Sequence, residues 1–454
     1  MDTKKLRQKI LDLAIRGKLV PQDPNDEPAS VLLERIKAEK ERLIKEGKIK
    51  KSKQSTKTSD TPHYENVPFE VPSGWVWTTV ENICSKIGSG STPKGSNYAS
   101  DGIIFFRSQN VHNGGIVLDD IKYISEEVHK SMIGTEVLPN DLLLNITGGS
   151  LGRCAIVPNM IDRGNVSQHV CILRPILVKA EYLHIFILSS FFAKTMKITG
   201  SGREGLPKYN LEKMRLPLPP LEEQKGIMAE IERWFALIAQ IEQGKSDLQT
   251  IVKQTKSKIL DLAIHGKLVP QDPNDEPAIE LLRHINPDFT PCDNGHYKNL
   301  PAGWVVCRLE DIVDYEQPTT YIVDSTNYND TYPIPVLTAG KSFIIGYTNE
   351  VKGIYSHLPC IIFDDFTTDS KLIDFPFKVK SSAMKILQVK KDIEIDFVAM
   401  FMSVTRLIGD THKRYWISEY SKLPIPIPPY AEQKRIIDAV HKAFAKLDTI
   451  MENL

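Results

Sequence analysis

The chain has 454 residues, more than one ordinary hydrophobic core takes up, so we expect several domains. Hydrophobic residues make up 41% and charged residues 25%, as is usual for globular proteins, and the sequence lacks the run of about eighteen apolar residues that a membrane span needs. Basic and acidic residues are equal at 57 each, which excludes an overall basic charge. Any binding of a polyanion must therefore depend on local charge.

The cysteines and the N-terminal residues indicate the compartment. The six cysteines are scattered without a C-x-x-C pair, which argues against a zinc site or a disulfide framework. Residues 1–18 are charged and have helical periodicity, unlike a secretory signal. Both observations favour a cytoplasmic protein without a metal site.

The first predicted element is a helix within residues 1–36. Leu6, Ile10 and Leu13 recur at helical spacing, and Gly17 is placed to end the helix. Residues 37–63 are rich in lysine, and residues 37–58 contain no aromatic residue. We interpret them as a solvated helix end followed by a flexible linker, and a basic arm that contacts phosphates is the alternative.

Residues 64–215 are predicted to form a globular α+β domain. The apolar runs 102–106, 142–144 and 154–157 read as buried strands, and residues 182–197 as a core helix. Polar residues follow these strands, and arginine, asparagine and glutamine are the types that pair with base edges. The candidates are Arg107, Ser108, Gln109, Asn110, Asn145, Thr147, Ser150, Arg153, Gln168, His169, Arg203 and Lys208. Ordinary loop polarity is an equally good interpretation of any single one.

Residues 216–285 are predicted to form a central spacer helix. Its apolar positions alternate steps of three and four, as in a heptad seam, and Gly266 followed by a proline-rich segment ends it. The seam residues are Ile227, Ile231, Trp234, Ile238, Ile241, Leu248 and Val252.

A second globular domain is predicted over residues 286–422, and the C-terminal part of the spacer over residues 423–454. Lys378 and Lys380 alternate on a predicted strand, which suits a stripe of phosphate contacts, although a solvated face is the alternative. The candidate contacts are Lys341, Ser342, Thr367, Thr368, Lys371, Lys378, Lys380, Lys413, Arg414 and Tyr415. The C-terminal seam consists of Ile437, Val440, Phe444, Leu447 and Met451.

An internal repeat connects these elements. Residues 9–29 recur at 258–278 with a single difference, Arg16 against His265. By the repeat offsets, the C-terminal helix matches the first part of the central helix, and the N-terminal helix matches its last part. The simplest architecture is pseudo-twofold, with two diverged domains joined by two antiparallel-packed spacer helices, one of them split between the termini. Two unrelated coiled-coil segments for oligomerisation are the alternative.

The landmarks of this repeat carry a family likeness. A Gly-Trp pair opens each domain (Gly74-Trp75 and Gly303-Trp304), and PPLEEQK (219–225) recurs as PPYAEQK (428–434). This pattern resembles the specificity subunits of type I restriction–modification enzymes over essentially the whole chain. The tryptophans themselves we interpret as core residues.

The resemblance implies a non-catalytic subunit with two target recognition domains that read the halves of an asymmetric, split site in double-stranded DNA. It implies docking of two adenine-N6 methyltransferase subunits, which carry S-adenosylmethionine, and of restriction subunits, which use ATP and Mg²⁺. This chain itself would bind no cofactor.

Two other functions stay open at this point. Pro428-Pro429-Tyr430 looks like part of a methyltransferase loop, and Asp364 with Asp365 looks like part of a nuclease centre, so a self-contained enzyme is one alternative. However, residue 427 is apolar, and adjacent carboxylates on a strand point to opposite faces. The other alternative is a coiled-coil scaffold without sequence-selective DNA binding.

Overall fold

The computed structural model describes residues 2–49, 67–93, 95, 98–199, 205–292, 297, 299–338, 343–407 and 413–454. The chain divides into two compact units, Met1–Gln243 and Gly244–Leu454. Within the described ranges, no helix combines the length and the apolar character that crossing a bilayer requires.

The first unit surrounds its sheets with helices. Its helices are α1 (Thr3–Ala14), α2 (Ala29–Lys45), α3 (Val80–Ile83), α4 (Glu126–Ser131), α5 (Ala180–Leu188), α6 (Ser190–Thr195), α7 (Lys208–Glu212) and the first part of α8 (Leu221–Ile264). Its strands are β1 (Val76–Thr79), β2 (Cys84–Ser89), β3 (Ile103–Phe106), β4 (Val111–His112), β5 (Gly115–Ile116), β6 (Lys122–Ile124), β7 (Glu136–Val137), β8 (Leu142–Asn145), β9 (Cys154–Ile156), β10 (Gly164–Val166), β11 (Val170–Pro175) and β12 (Arg215–Leu218).

The second unit contains the rest of α8 and a similar set of elements. Its other helices are α9 (Ala278–Ile285), α10 (Leu309–Ile312), α11 (Ile395–Val404) and α12 (Tyr430–Glu452). Its strands are β13 (Val305–Arg308), β14 (Val313–Glu316), β15 (Ile334–Leu337), β16 (Ile344–Thr348), β17 (Cys360–Asp364), β18 (Ser370–Ile373), β19 (Lys378–Val379), β20 (Met384–Val389) and β21 (Pro424–Ile427).

The two units have the same sheet topology. The order β2-β11-β8-β9 in the first unit matches β14-β20-β17-β18 in the second, and β6-β3-β10 matches β16-β15-β19. Each of the sheets β6-β3-β10 and β16-β15-β19 contains one parallel pair of strands. The parallel pairs are β3 with β10 and β15 with β19. Thus two domains whose sequences have diverged share one fold, and the predicted α+β class with two repeated domains is confirmed.

The apolar runs in the sequence are explained by sheets that lie between two cores. Leu142 and Leu144 on β8 belong to one hydrophobic cluster, whereas Leu143 belongs to another. On β17, Ile361 and Ile362 divide between two clusters in the same way. Since neighbouring side chains of a strand point to opposite faces, a strand covered on both faces is apolar throughout.

The predicted helix end is seen at residues 37–45, which form the last part of α2, where Lys40 Nζ donates to the carbonyl of Glu81 in α3. One boundary differs from the prediction. The predicted core helix 182–197 is divided into α5 and α6, because Ser189 ends the first and caps the second by accepting from the N–H of Phe192 at 3.2 Å. Residues 50–66, the rest of the predicted linker, lie outside the described ranges.

A network that we call the framework joint attaches the start of α8 to the turn after α1. Gly17 has a φ of +64°, and a Cβ there would lie 2.4 Å from Pro72, so only glycine fits. Gln22 Nε2 donates to the carbonyl of Gly17 at 2.9 Å and to Glu223 Oε1 at 3.0 Å. Trp75 Nε1 donates to Glu223 Oε2 at 2.7 Å. Both carboxylate oxygens of this buried glutamate are therefore used.

The second unit repeats the turn and the glutamine bonds of the framework joint, but the Trp304 indole N–H, unlike that of Trp75, has no hydrogen-bond partner among the described residues. Gly266 has a φ of +65°, and a Cβ there would lie 2.4 Å from Pro301. Gln271 Nε2 donates to the carbonyl of Gly266 at 2.8 Å and to Glu432 Oε1 at 3.1 Å. The near-identical repeated sequence therefore builds the same bonded turn twice.

The glutamine of the EQK sequences attaches each long helix to the globular domain beside it. Gln224 accepts a hydrogen bond from the backbone N–H of Lys179, at the start of α5, at 3.0 Å. Gln433 accepts from the backbone N–H of Glu394, at the start of α11, at 2.9 Å. Both amides also donate at 3.0 Å to the proline carbonyl five positions earlier. The repeated motif is thus an attachment point, and no part of it is arranged as a methyltransferase loop.

The buried glutamates of the two joints give the fold a pH dependence. Burial raises the pKa of both Glu223 and Glu432. The folded protein therefore holds these protons at pH values where the unfolded chain has released them, so stability falls as pH rises from the ordinary glutamate pKa through the raised one. We expect a smaller decrease over that interval in Glu223→Gln, measured by urea unfolding at a series of pH values. Identical pH profiles would contradict this assignment.

The terminal helices pack against α8 through repeated cation–ring contacts. In the first unit the Arg7 guanidinium lies 4.9 Å from the ring centre of Phe235, and it pairs with Glu242 at 3.0 Å. In the second unit Lys256, at the repeat position of Arg7, lies 4.8 Å from the ring centre of Phe444, which is at the repeat position of Phe235. The predicted pairing of both termini with the central helix is therefore confirmed within each unit.

The helices of the second unit run antiparallel. Lys245 Nζ donates to the carbonyl of Leu454, and Lys256 pairs with Asp448 at 2.5 Å. Residues further along α8 therefore contact residues earlier in α12, so the two helices run in opposite directions, as predicted. The predicted pseudo-twofold arrangement concerns both units together and stays a prediction.

The residues of the predicted seam are buried or half-buried at all positions but one. Ile227, Ile231, Ile238, Val252 and Val440 are buried, and Trp234, Leu248, Ile437, Phe444, Leu447 and Met451 are half-buried. Ile241 was wrongly included, since 39% of it is exposed.

Candidate functional site

Four segments of the first unit meet, three of them where the strands β3, β8 and β10 end. Asn145, the last residue of β8, donates through Nδ2 to the carbonyl of Ser108 at 2.8 Å. The N–H of Ile146 donates to the carbonyl of His169 at 3.0 Å, and the N–H of Leu206 donates to the carbonyl of Ile146 at 2.8 Å. We call the converging residues 107–110, 145–150, 167–169 and 205–206 loop cluster 1.

The second unit brings the equivalent loops together. The N–H of Lys380 donates to the carbonyl of Leu337 at 2.8 Å, and the N–H of Asp365 donates to that of Ala383 at 3.0 Å. The carbonyl of Asp365 in turn accepts from the N–H of Tyr415 at 2.9 Å. We call the converging residues 337–338, 364–369, 380–383 and 413–416 loop cluster 2.

Most candidates of the first domain lie in or beside loop cluster 1 with accessible side chains. Gln109, Arg153, Gln168 and Lys208 are exposed, and Arg107, Ser108, Thr147, Ser150 and His169 are half-buried. Thr147 Oγ1 lies 2.8 Å from His169 Nδ1, and Lys208 pairs with Glu212 at 3.3 Å. Arg203 lies outside the described ranges. The structure thus collects groups that hydrogen-bond to base edges and phosphates at one place.

Two candidates of the first domain are interior residues. Asn110 is 1% exposed, and its Nδ2 donates to the carbonyls of Val117 and Asp119 at 3.0 and 3.3 Å. Asn145 is fully buried, and its Nδ2 also bonds to Ser150 Oγ at 3.1 Å. Both amides hold loops together, so neither is available to a base.

Loop cluster 2 also has an exposed set of candidates. The exposed candidates in the cluster are Thr367, Lys380, Lys413 and Arg414, and Lys371 on the neighbouring strand β18 is exposed as well. Lys371 Nζ lies 4.5 Å from the ring centre of Phe343, and the Arg414 guanidinium lies 5.8 Å from that of Phe366. A lysine or arginine that packs on an aromatic ring keeps N–H groups available to hydrogen-bond to an anion. Lys341 and Ser342 lie outside the described ranges.

The predicted lysine stripe is wrong because the strand is short and its first residue points inwards. Lys378 is 2% exposed, and its Nζ lies 3.0 Å from Glu350 and 2.6 Å from the carbonyl of Lys352. β19 ends at Val379, so only Lys380 of the pair reaches the surface.

Thr368 and Tyr415 are likewise interior residues. Thr368 has a φ of +59° and is fully buried, and its Oγ1 accepts from the N–H of Leu407 at 3.1 Å. Tyr415 is 4% exposed and belongs to the hydrophobic core of the second unit.

The two adjacent aspartates at the end of β17, Asp364 and Asp365, hold the fold of the second domain. Asp364 accepts from the N–H of Phe366 at 2.9 Å and from Thr367 Oγ1 at 2.7 Å. Asp365 accepts from the N–H of Trp416 at 2.8 Å and lies 3.3 Å from the buried Lys385 Nζ. Among the described residues, no group of three or more His, Cys, Asp or Glu side chains is placed to hold a metal ion. These contacts account for both carboxylates without a catalytic role.

Asp120 is a site residue that sequence reasoning missed, since a single aspartate in a loop gives no signal. Its carboxylate binds Arg107 Nη2 at 2.9 Å, Gln109 Nε2 at 3.0 Å and Lys122 Nζ at 3.1 Å. The hydrogen bond from Arg107, followed by those from Lys122 and Gln109, lowers the pKa of Asp120 to about 2. The carboxylate is therefore ionised at neutral pH and gathers two candidate contacts.

The chain was compared with known proteins. It is 33% identical over 383 residues to the type I restriction enzyme EcoAI specificity subunit of Escherichia coli, a match that covers 69% of this chain and 62% of that relative. The chain thus spans less than two thirds of the relative's length.

Two solved structures have the same fold. The HsdS subunit from Thermoanaerobacter tengcongensis superposes with a TM-score of 0.53 at 16% identity, over 85% of this chain and 93% of that one. A chain from a structure describing complex assembly and conformational transition of the type I R-M system superposes with a TM-score of 0.57 at 17% identity, over 85% and 94%. At these identities the likeness shows the fold alone.

The family described as type I restriction modification DNA specificity domain matches residues 72–249 and 301–454, one match in each repeated half. These two matches cover most of the chain, including both loop clusters and both PPxxEQK sequences. The chain therefore belongs to the type I restriction–modification DNA specificity family.

Proposed function

We propose that this chain is the non-catalytic DNA-reading subunit of a type I restriction–modification complex. Each globular domain reads one half of a split, asymmetric site in double-stranded DNA. Loop cluster 1 reads one half and loop cluster 2 reads the other. The observation that carries this proposal is the convergence of equivalent loops in two domains of one fold, with different exposed side chains in each.

The chemistry of the loops supports DNA as the ligand. Loop cluster 1 offers Gln109, Gln168 and the neighbouring Arg153, which suit base edges, and loop cluster 2 offers mainly cations and hydroxyls, which suit phosphates and bases. Because the two sets differ, the half-sites differ too, unlike the palindromes that true dimers read. The zero net charge is compatible with this, since binding depends on the charge of the contacting face.

The repeated framework supports docking of two identical partners. Nearly identical turns, joints and helix starts recur in both units, and equivalent surfaces take equivalent partners. We propose two methyltransferase subunits there, with restriction subunits bound through them. S-adenosylmethionine, ATP and Mg²⁺ then belong to those partners. The six cysteines are unpaired, which suits work in the reducing cytoplasm.

The experiment is to map methylated adenines in DNA after expressing the chain with its methyltransferase partner. We expect one split, asymmetric motif, and no methyl transfer by the purified chain alone. Transfer by the chain alone would instead support the self-contained enzyme. Methylation that is not sequence-selective would support the scaffold.

Arg153 is the strongest single test of loop cluster 1. It is exposed, its side chain has no partner among the described residues, and its backbone closes the loop through bonds to Asn145 and Ser150. We expect Arg153→Ala to weaken specific binding by about 1–3 kcal/mol, measured by band shift of the complex on its site at fixed salt.

The matched control is Arg163→Ala. Arg163 directly precedes β10, whereas residues 167–169 of loop cluster 1 follow that strand, so the control removes an arginine at the opposite end of β10 from the loop cluster. Arg163 pairs with Glu126 at 3.1 Å. The control should bind as the wild type does. Equal losses in both variants would remove Arg153 from the reading surface.

A further inference from the structure

One segment of the first domain has no counterpart of similar length in the second. Residues 107–121 connect β3 to its antiparallel neighbour β6, whereas residues 338–343 connect the matching strands β15 and β16. The longer segment contains the hairpin β4–β5 and begins in loop cluster 1. It is therefore an element that distinguishes the first domain.

Asn110 folds this segment back on itself. Its Oδ1 accepts from the backbone N–H of Arg107 at 3.0 Å, and its Nδ2 donates to the carbonyls of Val117 and Asp119. These bonds bring both ends of the segment together, and they place Asp120 directly beside Arg107. The left-handed φ of +49° at Asp120 completes the turn.

The hydrogen bonds around Asp120 fix the side chain of Arg107 but do not occupy all of its N–H donors. Arg107 Nη2 donates to both the carboxylate and the carbonyl of Asp120, so Nη1 is left over. Arg107 Nε is buried without a hydrogen-bond partner, and the side chain is 24% exposed. Exposed ion pairs contribute little to stability, so stability alone does not explain a carboxylate that collects three donors. Fixing a long side chain before binding, however, lowers the entropy cost of recognition.

We propose that Asp120 is the positioning residue that fixes Arg107 and Gln109 for reading a guanine and its neighbouring base pair in the half-site of the first domain. This proposal rests on the proposed function. Arg107 donates through its remaining Nη1 to O6 or N7 of the guanine, and Gln109 contacts the adjacent pair. Asp120 itself touches no base, and its charge repels DNA unless the arginine stands between them.

The test is Asp120→Asn in the full chain with its methyltransferase partner. Asparagine adopts the left-handed conformation readily and keeps the size of the side chain, while it removes the charge and replaces one acceptor oxygen with an amide donor. We expect about tenfold less discrimination at one G·C pair, in one half-site only, measured by methylation rates on DNA in which each position is substituted in turn. Thermal unfolding should be unchanged.

The matched control is Asp119→Asn, which removes an exposed charge one residue away that has no side-chain partner in the described part of the chain. It should leave the site profile unchanged. If Asp120 acts on the guanine through Arg107, Asp120→Asn should have no further effect at the G·C pair in an Arg107→Ala background, and any remaining effect should be confined to the adjacent pair assigned to Gln109.

The outcomes separate the two proposals. A wild-type complex without sequence preference overturns the proposed function. A selective wild type whose profile is unchanged by Asp120→Asn overturns the role of Asp120 alone. A loss spread over both half-sites also overturns it.

Discussion

Replacing Glu223 with alanine is expected to destabilise the first unit by about 2 kcal/mol, because the buried indole N–H of Trp75 loses its acceptor and the more exposed Gln22 loses a bond that water replaces only in part. Trp75 Nε1 and Gln22 Nε2 both bond to this carboxylate, and it is 5% exposed, so water replaces it poorly. The joint also connects α8 to the turn after α1, which makes the loss cooperative. Urea unfolding of the chain, followed by hydrogen exchange of α1 and the first part of α8, measures the effect.

The neighbouring glutamate provides the matched control. Glu222 is exposed and bonds only to Lys225 on its own helix, and Ala431 stands at its repeat position in the second unit. Glu222→Ala should therefore cost less than about 0.5 kcal/mol. Glu432→Ala should destabilise the second unit by less than Glu223→Ala destabilises the first, because the Trp304 indole N–H has no hydrogen-bond partner among the described residues and Gln271 alone loses its acceptor. Equal effects of the Glu222 and Glu223 variants would show that the joint contributes no stability.

The framework could be predicted from the sequence because its residues occur twice in the chain as an internal repeat. Comparing the two copies of residues 9–29 and of PPxxEQK separates what the framework needs from what the domains vary. Trp75 was interpreted as a core residue, and it is 4% exposed in the core of the first unit. Its bond to Glu223 could not be predicted, since a bond across 148 residues depends on how the chain folds back.

The candidate site could be predicted only as a set of loops. The loops converge as expected because they follow neighbouring strands, but the orientation of each side chain depends on tertiary packing. Lys378 turns inwards to Glu350, and Asn110 is used up by backbone carbonyls. Polar residue type cannot distinguish a side chain that organises a loop from one that reads a base.

Exchanging the recognition part of the second domain is expected to change one half of the methylated site completely and to leave the other half unchanged. The junctions follow from the pairing of β13 with β21, in which Val305 lies opposite Ile427 and Arg308 opposite Pro424. A replacement of residues 309–422 by the matching part of another family member keeps this pair and the framework joint intact, whereas junctions at 286 and 422 would separate the strands. Methylation mapping of DNA from cells that express the chimaera measures the result.

The reciprocal exchange is the control. Replacing residues 80–214, between β1 and β12, keeps the pair in which Val76 lies opposite Leu218, and it should change the other half-site only. The spacing between the halves should stay the same in both chimaeras, because α8 and both terminal helices are untouched. If either exchange altered both halves, the two loop clusters would have to read the DNA jointly, and the assignment of one half-site to each domain would be wrong.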